Sequence, residues 1–440
     1  MIYNRSIYIL LFTAIISAPL KGQDLLTKKE AVAVALEYNF DIKAANNNVK
    51  IAENNADIRN SGYLPSASAS GSANYSITDS ENTLQSGDVQ SASGVNTTRL
   101  NASAGINYTL FDGFGREFSY RKLKETYRLT ELQARLVIEN SILNLFSVYY
   151  EIARLSQNLS TQKQSLNISR ERLTRAKYSF DYGQNTQLDV LNAEVDYNSD
   201  SINYLTISQQ LENEKRNLNL LLGRDVNTVF VVDTTLTYAT GLERETLMEE
   251  ARASNVNILQ EQSALQNAEY DLRISGSAAI PKIGLSATYS WLHNDLGATS
   301  IFNKQNQWGP GLGASVSWNI FDGGLTSVRK QNAKIALENQ QISTEQTKME
   351  VERNVSNAWT IYQTALFVLE AESTNLETNQ RNFSRTQEQY TLGQVTSIEF
   401  RQAQLNLLNA RLNFNQAKYS AKVAELALLQ FSGDLMEAEF

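Results

Sequence analysis

Apolar residues recur at every seventh position through two long stretches of this chain. Ile138, Leu145, Ile152, Leu159, Leu166, Leu173 and Phe180 hold the spacing in one, and Val355, Tyr362, Leu369, Leu376, Phe383 and Tyr390 in the other. A seven-residue beat sustained this far predicts long helices that wind around neighbours in a left-handed supercoil. The two stretches also share a register. An offset of 210 residues carries Phe111-Asp112-Gly113 onto Phe321-Asp322-Gly323, Gly183-Gln184 onto Gly393-Gln394, and Gly223 onto Gly433. The chain is a tandem duplication, and the duplication specifies shape. Residues 116–182 contain neither proline nor glycine, so 67 residues can run as one helix, roughly 100 Å long at about 1.5 Å per residue. Residues 325–392 do the same. A shorter helix returns after each tip glycine: 186–222 carries Leu188, Val195 and Ile202, and 396–432 carries Ile398, Leu405, Leu412, Tyr419 and Leu426. Gly223 and Gly433 stop these return helices, a common role for glycine at a helix C-terminus.

Four further segments alternate with period two. In 281–291, Ile283, Leu285, Ala287, Tyr289 and Trp291 alternate with Gly284, Ser286, Thr288 and Ser290. In 309–321, Leu312, Ala314, Val316, Trp318 and Ile320 face away from Gly313, Ser315, Ser317 and Asn319. The first repeat has the same pair at 98–111 and, more weakly, at 65–77. One apolar face and one face of small polar residues suit strands with lipid outside and water inside, and the lengths fit tilted membrane strands. The pattern is equally that of a soluble sandwich sheet. Tyr75, Tyr289, Trp291 and Trp308 form one expected aromatic girdle, and Tyr108, Phe111, Trp318 and Phe321 the other. The stretches 78–96 and 292–307 read as polar loops outside the cell. Four strands cannot close, yet in lipid every edge must be paired, and membrane barrels begin at about eight strands. Other copies must therefore complete the sheet, and three copies give twelve strands. Helices attached to every strand of such a barrel form a ring around a channel.

The domain order follows from these landmarks. Residues 1–22 read as a signal peptide, with Arg5 ahead of a short apolar run. A first repeat occupies 23–223 and a linker 224–245, in which 229–232 reads as a small strand. A second repeat fills 246–433, and 434–440 is a tail. Pro65 and Pro281 mark changes from helix to strand. The corners back from strand to helix are Asp112-Gly113 and Asp322-Gly323, where glycine permits the turn and aspartate caps the first helical turn.

Composition narrows the class. Cysteine is absent, which removes disulfides, thiolate metal sites and a lipidated N-terminal cysteine. Loss of 1–22 removes Arg5 and Lys21 and no acid, leaving 37 basic against 47 acidic residues, a net charge of about −10. So acidic a chain is no nucleic-acid binder and suits a bacterial envelope. The single histidine, His293, stands in an expected loop without companions for metal binding or catalysis, and the Gly-X-Gly at 311–313 lies in a strand. No enzyme, cofactor or metal is expected.

Taken together, the opening Leu26-Thr27 through Ala35, Tyr63-Leu64-Pro65, Ala279-Ile280-Pro281, the two Phe-Asp-Gly corners and the two glycine tips resemble the outer membrane efflux (TolC) family over the whole mature chain. The resemblance implies a homotrimer: a twelve-stranded transmembrane β-barrel in outer-membrane lipid, continuous with a twelve-helix α-helical barrel across the periplasm. It implies a passive exit duct for tripartite efflux or type I secretion. A periplasmic adaptor (membrane fusion) protein and an inner-membrane RND, ABC or MFS transporter would be its partners. It places adaptor docking at Gly183, Gln184, Gly393 and Gln394, and a periplasmic gate near Asp189, Glu399 and Tyr390, with Gln402 and Asn192 where some relatives carry acids. A basic residue two positions past the second tip glycine in some relatives is Val395 here, with Arg385 and Arg401 nearby as substitutes. For Asp189 and Glu399 the alternative is a helix-start acid complementing the dipole. For the whole chain the alternative is a periplasmic coiled-coil scaffold or adhesin without a pore.

Overall fold

The computed structural model describes residues 24–239, 241–296 and 302–437, so the expected signal segment lies outside the described residues. In chain order the first repeat contains β1 (Asp24–Leu26), α1 (Lys28–Tyr38), α2 (Phe40–Asn55), β2 (Ser66–Thr83), β3 (Val89–Phe111), α3 (Gly115–Asp181) and α4 (Gln187–Leu221). After β4 (Phe230–Val232), the second contains α5 (Arg244–Ser254), α6 (Val256–Ser277), β5 (Lys282–Asp295), β6 (Lys304–Ser317), α7 (Leu325–Thr391) and α8 (Ser397–Ser432). Each long helix has 67 residues. The expected helix boundaries hold to within a residue, because glycine or a corner bounds each apolar stripe.

The four long strands form one antiparallel sheet in the order β2-β3-β5-β6. Side-chain alternation gives it two unlike faces. Ala67, Ile106, Ala287 and Leu312 lie in register on one, and Ser68, Gly105, Thr288 and Gly311 on the other. The apolar face is bare: Leu312 is 88% and Val316 72% exposed. Trp291 stands directly opposite Trp308 across β5 and β6. Where all four strands pair, β2 and β6 present the free edges of this sheet.

Three expectations about the strands are corrected. The stretch 78–96 is mostly strand, and only its middle is a turn, where Leu84 N–H donates to the Asp88 carbonyl at 2.8 Å. Polar residues on both faces hide those strand ends from a search for alternation. Likewise β5 runs to Asp295 and β6 starts at Lys304, so 292–307 is largely hairpin, with 297–301 outside the described residues. At its other end β6 stops at Ser317, short of 321. Its partner supplies the reason: Ser317 pairs with Lys282, the first residue of β5, and Pro281 before it has no N–H to offer. Trp318 leaves the ladder and donates its indole N–H to the Ala279 carbonyl at 3.1 Å. Trp318 and Phe321 therefore belong to the corner and not to a strand-borne girdle.

In the helical part α3 pairs with α4 and α7 with α8, while α6 lies between α3 and α7 and α8 packs on α3. The duplication reappears in the capping. The side-chain oxygen of Asn39 accepts from Asp41 and Ile42 N–H, and that of Asn255 from Asn257 N–H. Their amide nitrogens donate to Leu221 and Phe431 carbonyls, at corresponding ends of α4 and α8. The thickest core is equatorial, where Phe146, Tyr149, Tyr150, Leu218, Phe230, Tyr419 and Leu426 are buried together. The linker is sewn into it. Strand β4 pairs parallel with β1, and the Tyr149 hydroxyl donates to the Leu26 carbonyl at 2.6 Å while accepting Asp233 N–H at 2.9 Å. Away from this belt the helices have only narrow apolar seams.

Candidate functional site

The end of the helices remote from the sheet holds the sequence-derived candidates. Gly183 at φ +71 and Gly393 at φ +74 each turn a long helix into its return helix. Gly183 N–H donates to Phe180 O and Gln184 N–H to Ser179 O, both at 2.8 Å; Gly393 and Gln394 repeat the pattern on Tyr390 and Gln389. This is the glycine stop expected from a left-handed terminal residue. A side chain added at either glycine would meet open space, so both turns present bare backbone. Beside the first turn, Arg175, Tyr178, Tyr182 and Gln184 line an open groove, and Tyr182 is 80% exposed.

Asp189 and Glu399 each close a capping box. Asp189 Oδ2 accepts from Thr186 N–H at 3.1 Å and its hydroxyl at 2.8 Å, and Thr186 Oγ1 accepts from Asp189 N–H at 3.4 Å. Glu399 does the same with Thr396, at 2.8, 2.9 and 3.2 Å. Bonds from the Thr396 backbone and hydroxyl hold the Glu399 carboxyl below its usual range. Glu399 is exposed and Asp189 half-buried, and both start the return helices, which is the capping-box arrangement. No hydrogen bond or ion pair joins one to the other among the described residues. Gln402 is exposed and donates to Asn406 Oδ1 at 2.8 Å, and Asn192 is exposed. Tyr390 is integrated into packing: its ring stacks on Phe400 at 4.5 Å, with Arg175 4.8 Å from the ring centroid. Thus Arg175 of the first tip grips Tyr390 of the second, while the two acids stay apart. At the opposite corners Asp112 accepts Arg116 N–H at 3.0 Å and Asp322 accepts Thr326 N–H at 2.9 Å, as expected of first-turn caps. Gly113 and Gly323 take φ +71 and +68.

Sequence reasoning missed a buried polar knot a few turns above the tips. Arg401 on α8 donates two bonds to Asp200 on α4, at 2.8 and 2.9 Å, and approaches Asp196 at 3.5 Å. Arg172 on α3 pairs with Asp196. Ser169 and Ser165 donate to Asp200, and Gln404 donates to the Ser165 carbonyl at 2.9 Å. Arg172 and Asp200 are almost wholly buried. Burial alone pushes the Asp200 carboxyl up, but the bonds from Arg401, Ser169 and Ser165 outweigh it and hold it below the ordinary range. Arg401 is thereby committed within its own chain. The signal was available: Ser165, Ser169, Arg172 and Ala176 occupy core spacing on α3, and Asp196 and Asp200 lie one helical turn apart on α4. Polar side chains at core positions on one helix call for polar partners on its neighbours.

Residues 31–224 and 247–434 match the family model described as outer membrane efflux protein. Among curated relatives, the outer membrane efflux protein BepC of Brucella suis biovar 1 (strain 1330) is 23% identical over 421 residues, covering 94% of this chain and 87% of that protein. The outer membrane protein TolC of Escherichia coli (strain K12) is 20% identical over 358 residues, covering 79% and 72%. Among solved structures, the CmeC outer membrane channel of Campylobacter jejuni superposes with a TM-score of 0.77 at 18% identity, over 93% of this chain and 86% of that one. The outer membrane protein VceC of Vibrio cholerae gives 0.75 at 16% identity, over 92% and 96%. At these identities the structural likeness speaks for the fold.

Proposed function

The chain belongs to the outer membrane efflux protein family, and we propose that three copies of it form a passive exit duct. Its sheets join as a twelve-stranded barrel in the outer membrane, and helices α3, α4, α7 and α8 of each copy continue it across the periplasm. One observation carries this reading: a four-stranded sheet with a bare apolar face and two unpaired edges, β2 and β6. In hydrocarbon each unpaired backbone group costs several kcal/mol, so β6 of one copy pairs with β2 of the next until the ring closes. The face then turned to water carries serine, glycine, asparagine and threonine with few charges. Such a wall suits a conduit whose cargo is selected elsewhere, by an inner-membrane pump of the RND, ABC or MFS class.

The adaptor docks on the exposed turns at Gly183-Gln184 and Gly393-Gln394. In the resting state the Arg401–Asp200 bonds hold α8 against α3 and α4, and Tyr390 holds the two tips together through Arg175. Asp189 and Glu399 place six carboxylates around the entrance of a trimer, and crowded carboxylates favour cations over anions. Adaptor docking shifts the population toward a packing in which the coils stand apart.

Planar-bilayer recording tests the duct and its gate together. The purified protein is expected to conduct with cation preference. Asp189→Asn combined with Glu399→Gln, which keeps an acceptor in each capping box, is expected to conduct with reduced preference. Absence of any current rejects the duct in favour of a scaffold. Current with unaltered selectivity removes the two acids from the gate.

A further inference from the structure

The duplication allows a seam that the single chain lacks to be read from one that it contains. Through α3–α4 and α7–α8 the repeats correspond residue for residue at an offset of 210, without insertion. Within one copy, α3 of the first repeat packs on α8 of the second. Among the described residues α7 makes no comparable packing on α4. In the trimeric duct proposed above, on which this inference rests, it falls between α7 of one copy and α4 of the next.

At the equator the within-copy seam is apolar, with Tyr150 of α3 against Tyr419 of α8, but towards the tips it is polar. Asn415 donates to Asn158 Oδ1 at 2.8 Å, Arg411 to Gln164 Oε1 at 2.6 Å, and Arg401 to Ser169 Oγ at 3.1 Å and to Asp200. Shifting each residue by 210 gives the corresponding positions of the other seam. The Asn158–Asn415 rung becomes Val368 and Leu205, and Gln164–Arg411 becomes Thr374 and Ser201. Arg401 becomes Leu191, Asp200 becomes Ala410, Asp196 becomes Asn406 and Arg172 becomes Asn382. Both arginines and both aspartates of the knot vanish together, and a buried amide pair turns into two aliphatic side chains. Loss of one partner alone would strand a buried charge; loss of the whole set marks a second seam with its own chemistry. In the single chain Leu191, Leu205 and Val368 are 49%, 65% and 42% exposed.

We infer that the apolar stripe on α4 is a surface for a second copy of this chain, with Leu205 packed against the neighbouring copy's Val368. The tube wall then alternates two kinds of seam. Towards the tips, the seam within a copy carries ion pairs and amides, whereas the Leu205–Val368 rung between copies is aliphatic.

The absence of cysteine makes the test clean. Leu205→Cys with Val368→Cys, oxidised as detergent-solubilised protein, is expected to give covalent dimers and trimers on a denaturing gel. Asn158→Cys with Asn415→Cys should close within one chain and stay at monomer mass, as should either single variant. Leu191→Cys with Asn379→Cys, the rung corresponding to Arg401 and Ser169, serves as a second pair should the first disturb folding. If the protein is a trimer by native mass and neither pair across α4 and α7 links copies, the seam assignment is overturned. If no trimer exists, the duct reading itself falls, and the seam with it.

Discussion

At the scale of single residues, two glycines in corresponding corners carry different loads. A Cβ at Gly113 would stand 2.8 Å from Ile280 Cβ and 2.9 Å from the Ser277 carbonyl, whereas one at Gly323 meets open space. Both have positive φ, so alanine costs about 1–2 kcal/mol at either for backbone conformation. Gly113→Ala adds an overpacking cost of about 1–3 kcal/mol. Its thermal midpoint should therefore fall well below that of Gly323→Ala; equal shifts would contradict the close packing at the first corner. Phe114 takes φ +67 where the second repeat has Gly324. Its edge-on contact with Phe111, at 5.5 Å, is worth about 0.5–1.5 kcal/mol and is comparable with the strain. The turn glycines are legible in the sequence because only glycine reaches that backbone region freely. Phe114 is not, since its compensation exists only once strand and helix meet. At the tip, Gly393→Asn retains the left-handed turn and should export normally. Gly393→Trp should leave trimers intact and abolish export; full export by the Trp variant would remove that turn from adaptor docking.

At the scale of elements, the knot joining α3, α4 and α8 predicts an acid response. The Asp200 carboxyl is depressed in the folded chain, so its contribution to stability is complete above the ordinary aspartate range and is lost as pH falls through the depressed value. Asp200→Ala leaves Arg401 and Arg172 buried with less compensation and should cost about 3–5 kcal/mol at neutral pH. It should also flatten the fall in stability across that acid window, followed by denaturant unfolding at several pH values. An unchanged midpoint, or the same acid slope as the parent, would show that these bonds hold nothing. The helices themselves are readable from the sequence, since stripes bounded by Gly183, Gly223, Gly393 and Gly433 leave little freedom in their ends. The strand ends are not, because pairing of the backbone continues into segments 78–83 and 89–96 where no apolar face marks it. Asp196 and Asp200 escape notice, and Arg401 is read only as a substitute at the tip, for a related reason. Their meaning depends on which helices face one another, and heptad spacing does not specify that.

At the scale of the whole molecule, the fold presents surfaces that a lone chain cannot satisfy. The sheet has two open edges and an apolar face turned outward, and α4 carries Leu188, Leu191, Val195, Ile202 and Leu205 in the open. Each needs a neighbour, and cyclic repetition supplies the same neighbour to every copy. In the proposed trimer the duplication makes this geometry regular, because two similar helix pairs per chain would become six around the ring. The account stands on the number of chains in the particle and on what keeps it dissolved. Purified mature protein, weighed by sedimentation with bound detergent subtracted, should have three times the mass of one chain and should precipitate when detergent is withdrawn. A particle of one chain's mass that stays in solution without detergent would contradict the account.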